Sequence, residues 1–398
     1  MIHECFLFFF VYKFKNLDFK FTQMNIAIHV RFLVANKLEG IGRFTFETIQ
    51  RICKNHPEHT FYLLFDRMYE PEFIFSTNVV PIVVPFPARH PLLWWFWFHI
   101  QLPRVLKNIP ADIFISTDGF LPPHLSIPTV NVIHDLNFEH NPEHVPSLVR
   151  WYYKKFFPLY ARKATRIATV SEFSKQDICS TYSIVPEHVD VIYNGVSSEF
   201  EPLTETQKTI VKKTYTRNTD YFIYVGSLHP RKNIERLLAA YELFKKQTQS
   251  DVTLVIVGEA MFLSKSIQKA YDTNAYKNDI IFTGRVPNNQ LALLTGAAYA
   301  MTYVPLFEGF GIPILEAFAC NVPVITSRCT SMPEVAGNAA LYCDPLHIES
   351  IAVAMKKIVQ DKELYHKLQE YSNIQKQKYS WDKTAELLWK SISKVVRT

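Results

Sequence analysis

The chain has 398 residues, 48% of them hydrophobic and 20% charged, with a formal net charge of +6. This length suits two domains of ordinary size, and the balance is that of a soluble globular protein. The positive excess is weak and dispersed, with no basic stripe, so it excludes a nucleic-acid binder and fits an anionic substrate or an anionic membrane surface.

The first run, residues 5–12 (CFLFFFVY), is apolar and is followed by Lys13, Lys15 and Lys20. It is too short to span a bilayer and lacks the basic start and cleavage site of a signal peptide. Two readings stand: residues 1–23 are an extension ahead of a true start at Met24, or they are a short membrane-surface anchor. From Met24 strands are predicted over 25–30, 60–65, 79–84, 112–116, 129–133, 166–170 and 189–193. Helices over 42–54, 92–107, 146–163 and 172–182 fall between them. Such alternation implies a parallel sheet covered on both faces, a Rossmann-like α/β domain over 24–200. Asn194-Gly195 is a turn signal, and the polar stretch 201–220 reads as a linker. Alternation restarts with strands over 221–225, 252–257, 280–283, 300–304, 322–326 and 340–343. The helices here are over 234–247, 262–273, 288–295, 313–320, 348–359 and 362–378. This is a second doubly wound domain over 221–380, and the last segment, 381–398, reads as a helix packing back toward the first domain. Ligands of such sheets bind beyond the carboxyl ends of the strands, so the two domains face each other across a cleft.

Several segments at those strand ends carry chemistry. In the first domain, Gly40 and Gly42 precede a helix and admit a phosphate, although the third glycine of the dinucleotide fingerprint is absent and a plain βα turn reads the same way. Trp94-Trp-Phe-Trp-Phe98 is either core packing or, for some of its rings, an aromatic patch for a membrane interface or a sugar. Asp118 ends one strand and is a candidate acceptor contact. His134 and Asp135 end the next. A histidine there is often structural, but this one points toward the cleft. In the second domain, Gly226 closes a strand and Arg231-Lys232 follows. A guanidinium fork and a point charge suit a diphosphate, although surface Arg-Lys pairs are common. Gly284-Arg285-Val286 ends another strand where a flat base fits. The densest signal is Glu308-Gly-Phe-Gly-Ile-Pro-Ile-Leu-Glu316. Pro313 suits a first helical turn, Gly311 lets backbone approach a ligand, and the helix start favours an anion. Carboxylates beside an anion site make sense if the ligand also carries hydroxyls, as a sugar nucleotide does. The six cysteines show no Cys-x-x-Cys pair and no zinc spacing, and read as reduced thiols of a cytosolic protein.

Together these segments resemble the retaining glycosyltransferases of family four, which have the GT-B fold. The resemblance rests on Gly40-Ile-Gly42-Arg43, Val132-Ile-His134-Asp135, Val170-Ser171-Glu172-Phe-Ser174, Asn194-Gly195-Val196, Gly226 to Asn233, and Glu308 to Glu316. They lie in the family's order and cover nearly all of residues 24 to 380. The stretches 134–142 and 230–233 are most similar to mannosyltransferases of surface polysaccharide and lipopolysaccharide assembly. The resemblance implies roles. Arg231 and Lys232 would hold the donor diphosphate, and Gly42 and Gly226 would line it. Val286 would lie by the base and Glu316 would bind the ribose hydroxyls. Glu308 and His134 would contact the transferred sugar, with the amides of Phe310, Gly311 and Ile312 meeting sugar and phosphate. No metal or other cofactor is expected, in keeping with the lack of an Asp-x-Asp motif. His229 departs from the acidic residue that related sequences often carry.

The expected reaction is transfer of a hexose, mannose by preference, from GDP-mannose or a UDP-sugar to a glycan or lipid-linked glycan. The anomeric configuration would be retained. The expected location is the cytoplasm, with peripheral contact at the inner face of the plasma membrane. Alternatives are a nucleotide-sugar epimerase on the same fold and a non-catalytic sugar-nucleotide-binding protein.

Overall fold

The computed structural model describes residues 23–35, 37–259 and 265–396. The expected extension over 1–23 lies outside the described residues but for Gln23. Two parallel sheets follow one another along the chain. The first has seven strands in the order β3-β2-β1-β4-β5-β6-β7. They are β1 (Asn25–His29), β2 (Thr60–Phe65), β3 (Val79–Val83), β4 (Ile113–Ser116), β5 (Thr129–Val132), β6 (Arg166–Thr169) and β7 (Val189–Val191). The second has six in the order β10-β9-β8-β11-β12-β13. They are β8 (Tyr221–Val225), β9 (Thr253–Val257), β10 (Ile280–Gly284), β11 (Ala300–Tyr303), β12 (Val324–Ser327) and β13 (Ala340–Cys343). Central strands such as Thr253–Val257 are buried along their whole length, because helices cover both faces. In each sheet the strand order reverses beside the first strand, between β1 and β4 and between β8 and β11. Those reversals open the crevices where such sheets take ligands.

The helices that matter for the cleft are α1 (Ile41–Asn55), α2 (Ser147–Lys163), α3 (Glu172–Tyr182), α4 (Glu205–Tyr215), α5 (Ile234–Thr248), α6 (Ile312–Ala319) and α7 (Trp381–Val396). The stretch 201–220, expected as a linker, contains α4. Thr204 and Gln207 form a reciprocal capping box at its start, and Val211 joins the second domain's core. Helix α7 crosses back, and Trp381, Ala385, Leu388 and Ile392 complete the first domain's core. Trp389 stacks on His56 with ring centroids 3.7 Å apart, and Lys394 reaches Asp190 at 2.7 Å. The first domain therefore closes only when the chain's last helix returns to it.

The aromatic run divides. Pro91–Phe96 and Leu102–Lys107 are α-helical and are joined by a π turn, Trp97–Gln101. Pro103 has no N–H to offer the His99 carbonyl, which suits a widened turn there. Trp97 and Phe98 are core, and Trp94 donates from Nε1 to the Ala88 carbonyl at 2.9 Å, while Trp95 stays exposed. Among the described residues no helix is long and apolar enough to cross a membrane.

Since Leu388 is fully buried against the first domain, Leu388→Ala should cost about 2–5 kcal/mol in urea unfolding followed by tryptophan fluorescence. An unchanged midpoint would show that α7 is not part of that core.

Candidate functional site

The site grows from the loop after β11. It leads into α6, and three hydrogen bonds with Ser331 and Thr330 fix its backbone. Ser331 Oγ donates to the Glu308 carbonyl at 2.9 Å and to the Phe310 carbonyl at 3.2 Å, and Glu308 N donates to Thr330 Oγ1 at 3.3 Å. Gly311 caps α6 with φ +100°, a conformation that penalises a side chain, and a Cβ there would stand 2.8 Å from Met332 Cε. Pro313 falls in the first turn, as its missing N–H allows. Among the described residues no hydrogen bond engages the amides of Phe310, Gly311 and Ile312, so the positive end of α6 faces the cleft with free donors.

Glu308 is 6% exposed and sits between two cations. Its Oε2 lies 3.1 Å from Arg231 Nη1 and its Oε1 2.5 Å from Lys232 Nζ. Both cations stand on the single turn after β8, Pro230–Lys232. The Arg231 carbonyl accepts from Leu306 N at 2.8 Å and the guanidinium donates to the Phe307 carbonyl at 3.2 Å, so the two loops are tied together. Lys232 Nζ also donates to Tyr303 Oη at 2.7 Å. Burial alone would raise the Glu308 carboxyl, but Arg231 and Lys232 outweigh it and hold the group below the usual carboxylate range. Burial pulls Lys232 below an ordinary ammonium, with Glu308 opposing. Burial likewise acts against Arg231, yet Glu308 and Asp135 keep it firmly charged. His229, the departure from the family pattern, is lowered to about 4 by burial and then by Arg231, so it is neutral.

The first domain meets this loop directly. A Cβ on Gly309 would fall 2.4 Å from the His134 carbonyl oxygen, so only glycine allows the two backbones to touch. The Gly309 carbonyl accepts from Ser171 Oγ at 2.7 Å and from Ser174 Oγ at 3.3 Å. Glu334 of the second domain caps α3 of the first, accepting from Glu172 N at 2.7 Å and Phe173 N at 3.1 Å. His134 Nε2 donates to the Thr117 carbonyl at 2.9 Å, which leaves Nδ1 with its lone pair. Burial lowers the His134 pKa, and its ring is set edge-on to Phe44 of α1 at 4.9 Å. It is a neutral, oriented acceptor beside Gly309.

Other expected residues are placed less simply. Asp118 does not reach the cleft as an acceptor contact. Its side chain is 1% exposed, with Oδ2 on Arg31 Nε at 2.7 Å and Oδ1 receiving Ser116 Oγ at 3.1 Å. It is a buried counter-charge, and burial notwithstanding, Arg31 and His29 hold it well below the carboxylate range. Asp135 is spent too: Oδ1 caps Asn137 N at 3.0 Å and Oδ2 faces Arg231 Nη1 at 3.5 Å, across the domain boundary. Gly42 is inside the first turn of α1, where a Cβ would meet the Phe32 carbonyl at 2.7 Å, so its smallness serves local packing first. Gly226 follows β8 and leaves the Tyr224 hydroxyl room at 2.8 Å from where a Cβ would be. Val286 is half-buried just beyond β10, and its neighbour Arg285 bridges to Glu39 of the first domain at 2.7 Å. Glu316 is half-buried one turn into α6, and burial pushes it up to about 7 while Arg43 of the opposite domain pulls the other way. Residues whose roles the sequence left unread are Tyr303, Ser331, Glu334 and Gly309. Of these only the Pro-Glu pair of 333–334, placed like a helix start, gave a local signal.

Known proteins resemble this chain in sequence and in fold. Residues 38–200 match the family described as "Glycosyltransferase Family 4" and residues 206–375 the one described as "Glycosyl transferases group 1". The O-antigen chain mannosyltransferase RfbU of Salmonella typhimurium is 30% identical over 71% of this chain and 75% of its own length. The O-antigen chain mannosyltransferase B of Escherichia coli is 27% identical over 87% of this chain and 93% of its own. Among solved structures, Anabaena HepE in complex with UDP and glucose superposes with a TM-score of 0.73 over 94% of this chain and all of its own, at 17% identity, which shows the shared fold. With both halves matched in order, and with two facing Rossmann-like domains, this chain belongs to the group 1, family 4 glycosyltransferases of GT-B fold.

Proposed function

We propose that the chain transfers a hexose, mannose by preference, from a nucleoside diphosphate sugar to a glycan or lipid-linked glycan of a surface polysaccharide, with retention of configuration. The carrying observation is the buried cluster of Arg231, Lys232 and Glu308 beside the free amides of α6. A buried lysine, a half-buried arginine and a helix start offer fixed positive charge where a diphosphate leaving group develops its own. They supply it without a metal. Glu316, lying across from Arg43, accepts from the ribose hydroxyls, and Val286 flanks the base. His134 Nδ1 accepts from a donor-sugar hydroxyl, and Glu308 contacts the same sugar. The leaving phosphate takes the acceptor's proton on the same face. The mannosyltransferase relatives support mannose as the transferred sugar, for which GDP-mannose is our preferred donor, while the UDP and glucose bound by HepE keep a UDP-sugar as the second choice.

We also place the working enzyme in the cytoplasm at an anionic membrane. Leu92, Trp95 and Trp151 are exposed at 63%, 44% and 51%. Trp95 stacks on His99 at 5.3 Å, His99 meets Phe156 at 5.0 Å, and Phe156, itself buried, meets Trp151 at 6.1 Å, so the exposed rings share one buried aromatic support. Lys155 Nζ lies 5.1 Å from the Trp151 ring, and the same helical stretches carry Arg104, Lys107, Arg150, Lys154, Arg162 and Lys163 with no Asp or Glu. Aromatics accompanied by cations suit a headgroup layer.

With purified protein and a panel of nucleotide sugars and glycans, Lys232→Ala and Arg231→Ala should each lower kcat by about 10²–10³-fold. Wild-type rates in both would refute the site, and free sugar without a glycan product would refute the transferase. Glu316 accepts from both ribose hydroxyls most strongly as a carboxylate, so nucleotide affinity should rise as pH climbs through about 7. In Glu316→Gln that part of the pH profile should vanish, and parallel profiles for the two proteins would overturn the ribose assignment. On vesicles of phosphatidylcholine with phosphatidylglycerol, the Trp95→Ser, Trp151→Ser double variant should partition about tenfold more weakly. Equal sedimentation of both proteins would dismiss the patch.

A further inference from the structure

Beyond the donor site, the domain boundary holds a groove of about 580 Å³ that the chemistry above does not use. His140, Asn141, Phe173, Gln176 and Asp177 line it from the first domain and Phe307 from the second. Phe307 immediately precedes Glu308, so one loop presents its carboxylate to Arg231 and Lys232 and its aromatic ring to the groove. The His140 ring lies nearly parallel to Phe307, centroids 5.4 Å apart and planes 29° apart, and Phe173 meets Phe307 edge-on at 5.7 Å. The polar groups are equally ordered. His140 Nε2 donates to Asp177 Oδ1 at 2.7 Å, which leaves Nδ1 as an acceptor, and Thr181 Oγ1 donates to the same oxygen at 3.1 Å. Asp177 is 8% exposed in its side chain, and its second oxygen, Oδ2, is buried with no hydrogen-bond partner.

We propose that this groove is a saccharide subsite for the acceptor, holding a sugar residue of the glycan next to the one that receives the transferred hexose. Flat aromatic faces take the C–H face of a pyranose, and planar amides and an imidazole nitrogen take its hydroxyls. The assignment rests on the transferase reading, because only an enzyme that extends a glycan needs such a subsite. His140 Nδ1 and the Gln176 and Asn141 amides bind hydroxyls, Asp177 orients the His140 ring from behind, and Phe307 with Phe173 forms the wall. Because the groove is shared by both domains, a bound glycan spans their boundary and lies against the loop that carries Glu308.

The test uses the full chain and saturation-transfer NMR with four probes: methyl α-mannoside, methyl α-galactoside, methyl β-N-acetylglucosaminide and α-linked mannobiose. At least one probe should bind the wild type, and the His140→Ala, Phe173→Ala double variant should bind it about tenfold more weakly. Phe173→Tyr, which keeps the ring, should restore most of the affinity in the single-site comparison with Phe173→Ala. GDP and UDP titrations on the same samples report whether each variant is folded, and a variant that binds neither nucleotide where the wild type does is replaced by Gln176→Ala. No probe binding to the wild type, or equal binding by wild type and folded variants, overturns the subsite. Transfer by the wild type onto a glycan is assayed separately. Its failure would remove the transferase reading, whereas transfer together with unaltered probe binding would remove the subsite alone.

Discussion

The constraint on which the cleft depends is the burial of charge. Arg231 and Lys232 are held at the end of β8 by their turn, and neither is solvated enough to stand alone. A buried charge without a partner costs several kcal/mol. Glu308 meets that demand for both, and Asp135 adds a second carboxylate on Arg231 from the other domain. The positions of the β8 turn, of the loop after β11 and of the first domain's strand β5 end are therefore coupled through a few charged atoms. The serines at 171, 174 and 331 then fix the backbone between them, so Glu308 has little freedom to follow solvent.

The fold explains why these atoms can meet. Each sheet reverses its order beside its first strand, and each reversal leaves a gap at the carboxyl ends. The first domain places His134 and Asp135 at the end of β5, next to its gap. The second places Arg231, Lys232 and Glu308 after β8 and β11, which flank its own. Helix α7 returns to the first domain and completes its core, so the two halves are joined at two crossings of the chain. The halves touch directly, and Gly309 is a point where no side chain is tolerated between them.

Much of this was legible in the sequence because it is local. Runs such as Thr-Leu-Val-Ile-Val and Tyr-Phe-Ile-Tyr-Val can only be buried strands, and their alternation with amphipathic segments gave the two sheets to within a residue or two at each end. Gly311 and Pro313 announced the start of α6. Helix α4 escaped because its apolar face is little more than Val211 and the rest is solvated, leaving the Thr204–Gln207 capping box as its single cue. Asp118 misled for a different reason. At a strand end, Thr-Asp-Gly looks like a ligand contact, but its partners His29 and Arg31 come from the end of β1, nearly ninety residues earlier. Pairings of that range, like Ser171 with Gly309 or Glu334 with α3, exist only once the sheets and domains are assembled.

The same charge arithmetic bears on how the site treats its ligand. In the free protein Arg231 and Lys232 face Glu308 and Asp135, two cations against two carboxylates. A diphosphate entering beside them adds negative charge, and it must draw the cations away from carboxylates already at contact distance. Its net gain is therefore smaller than the bare attraction of two cations would give, because those contacts are exchanged rather than created. A carboxylate that gives up a cation in a buried cleft needs another donor. For Glu308, in the proposed donor complex, the hydroxyls of the sugar would be that donor. With the donor bound as proposed, the arrangement would penalise a nucleotide that arrives without its sugar, since only the complete donor would offer both the anion for Arg231 and Lys232 and the hydroxyls for Glu308.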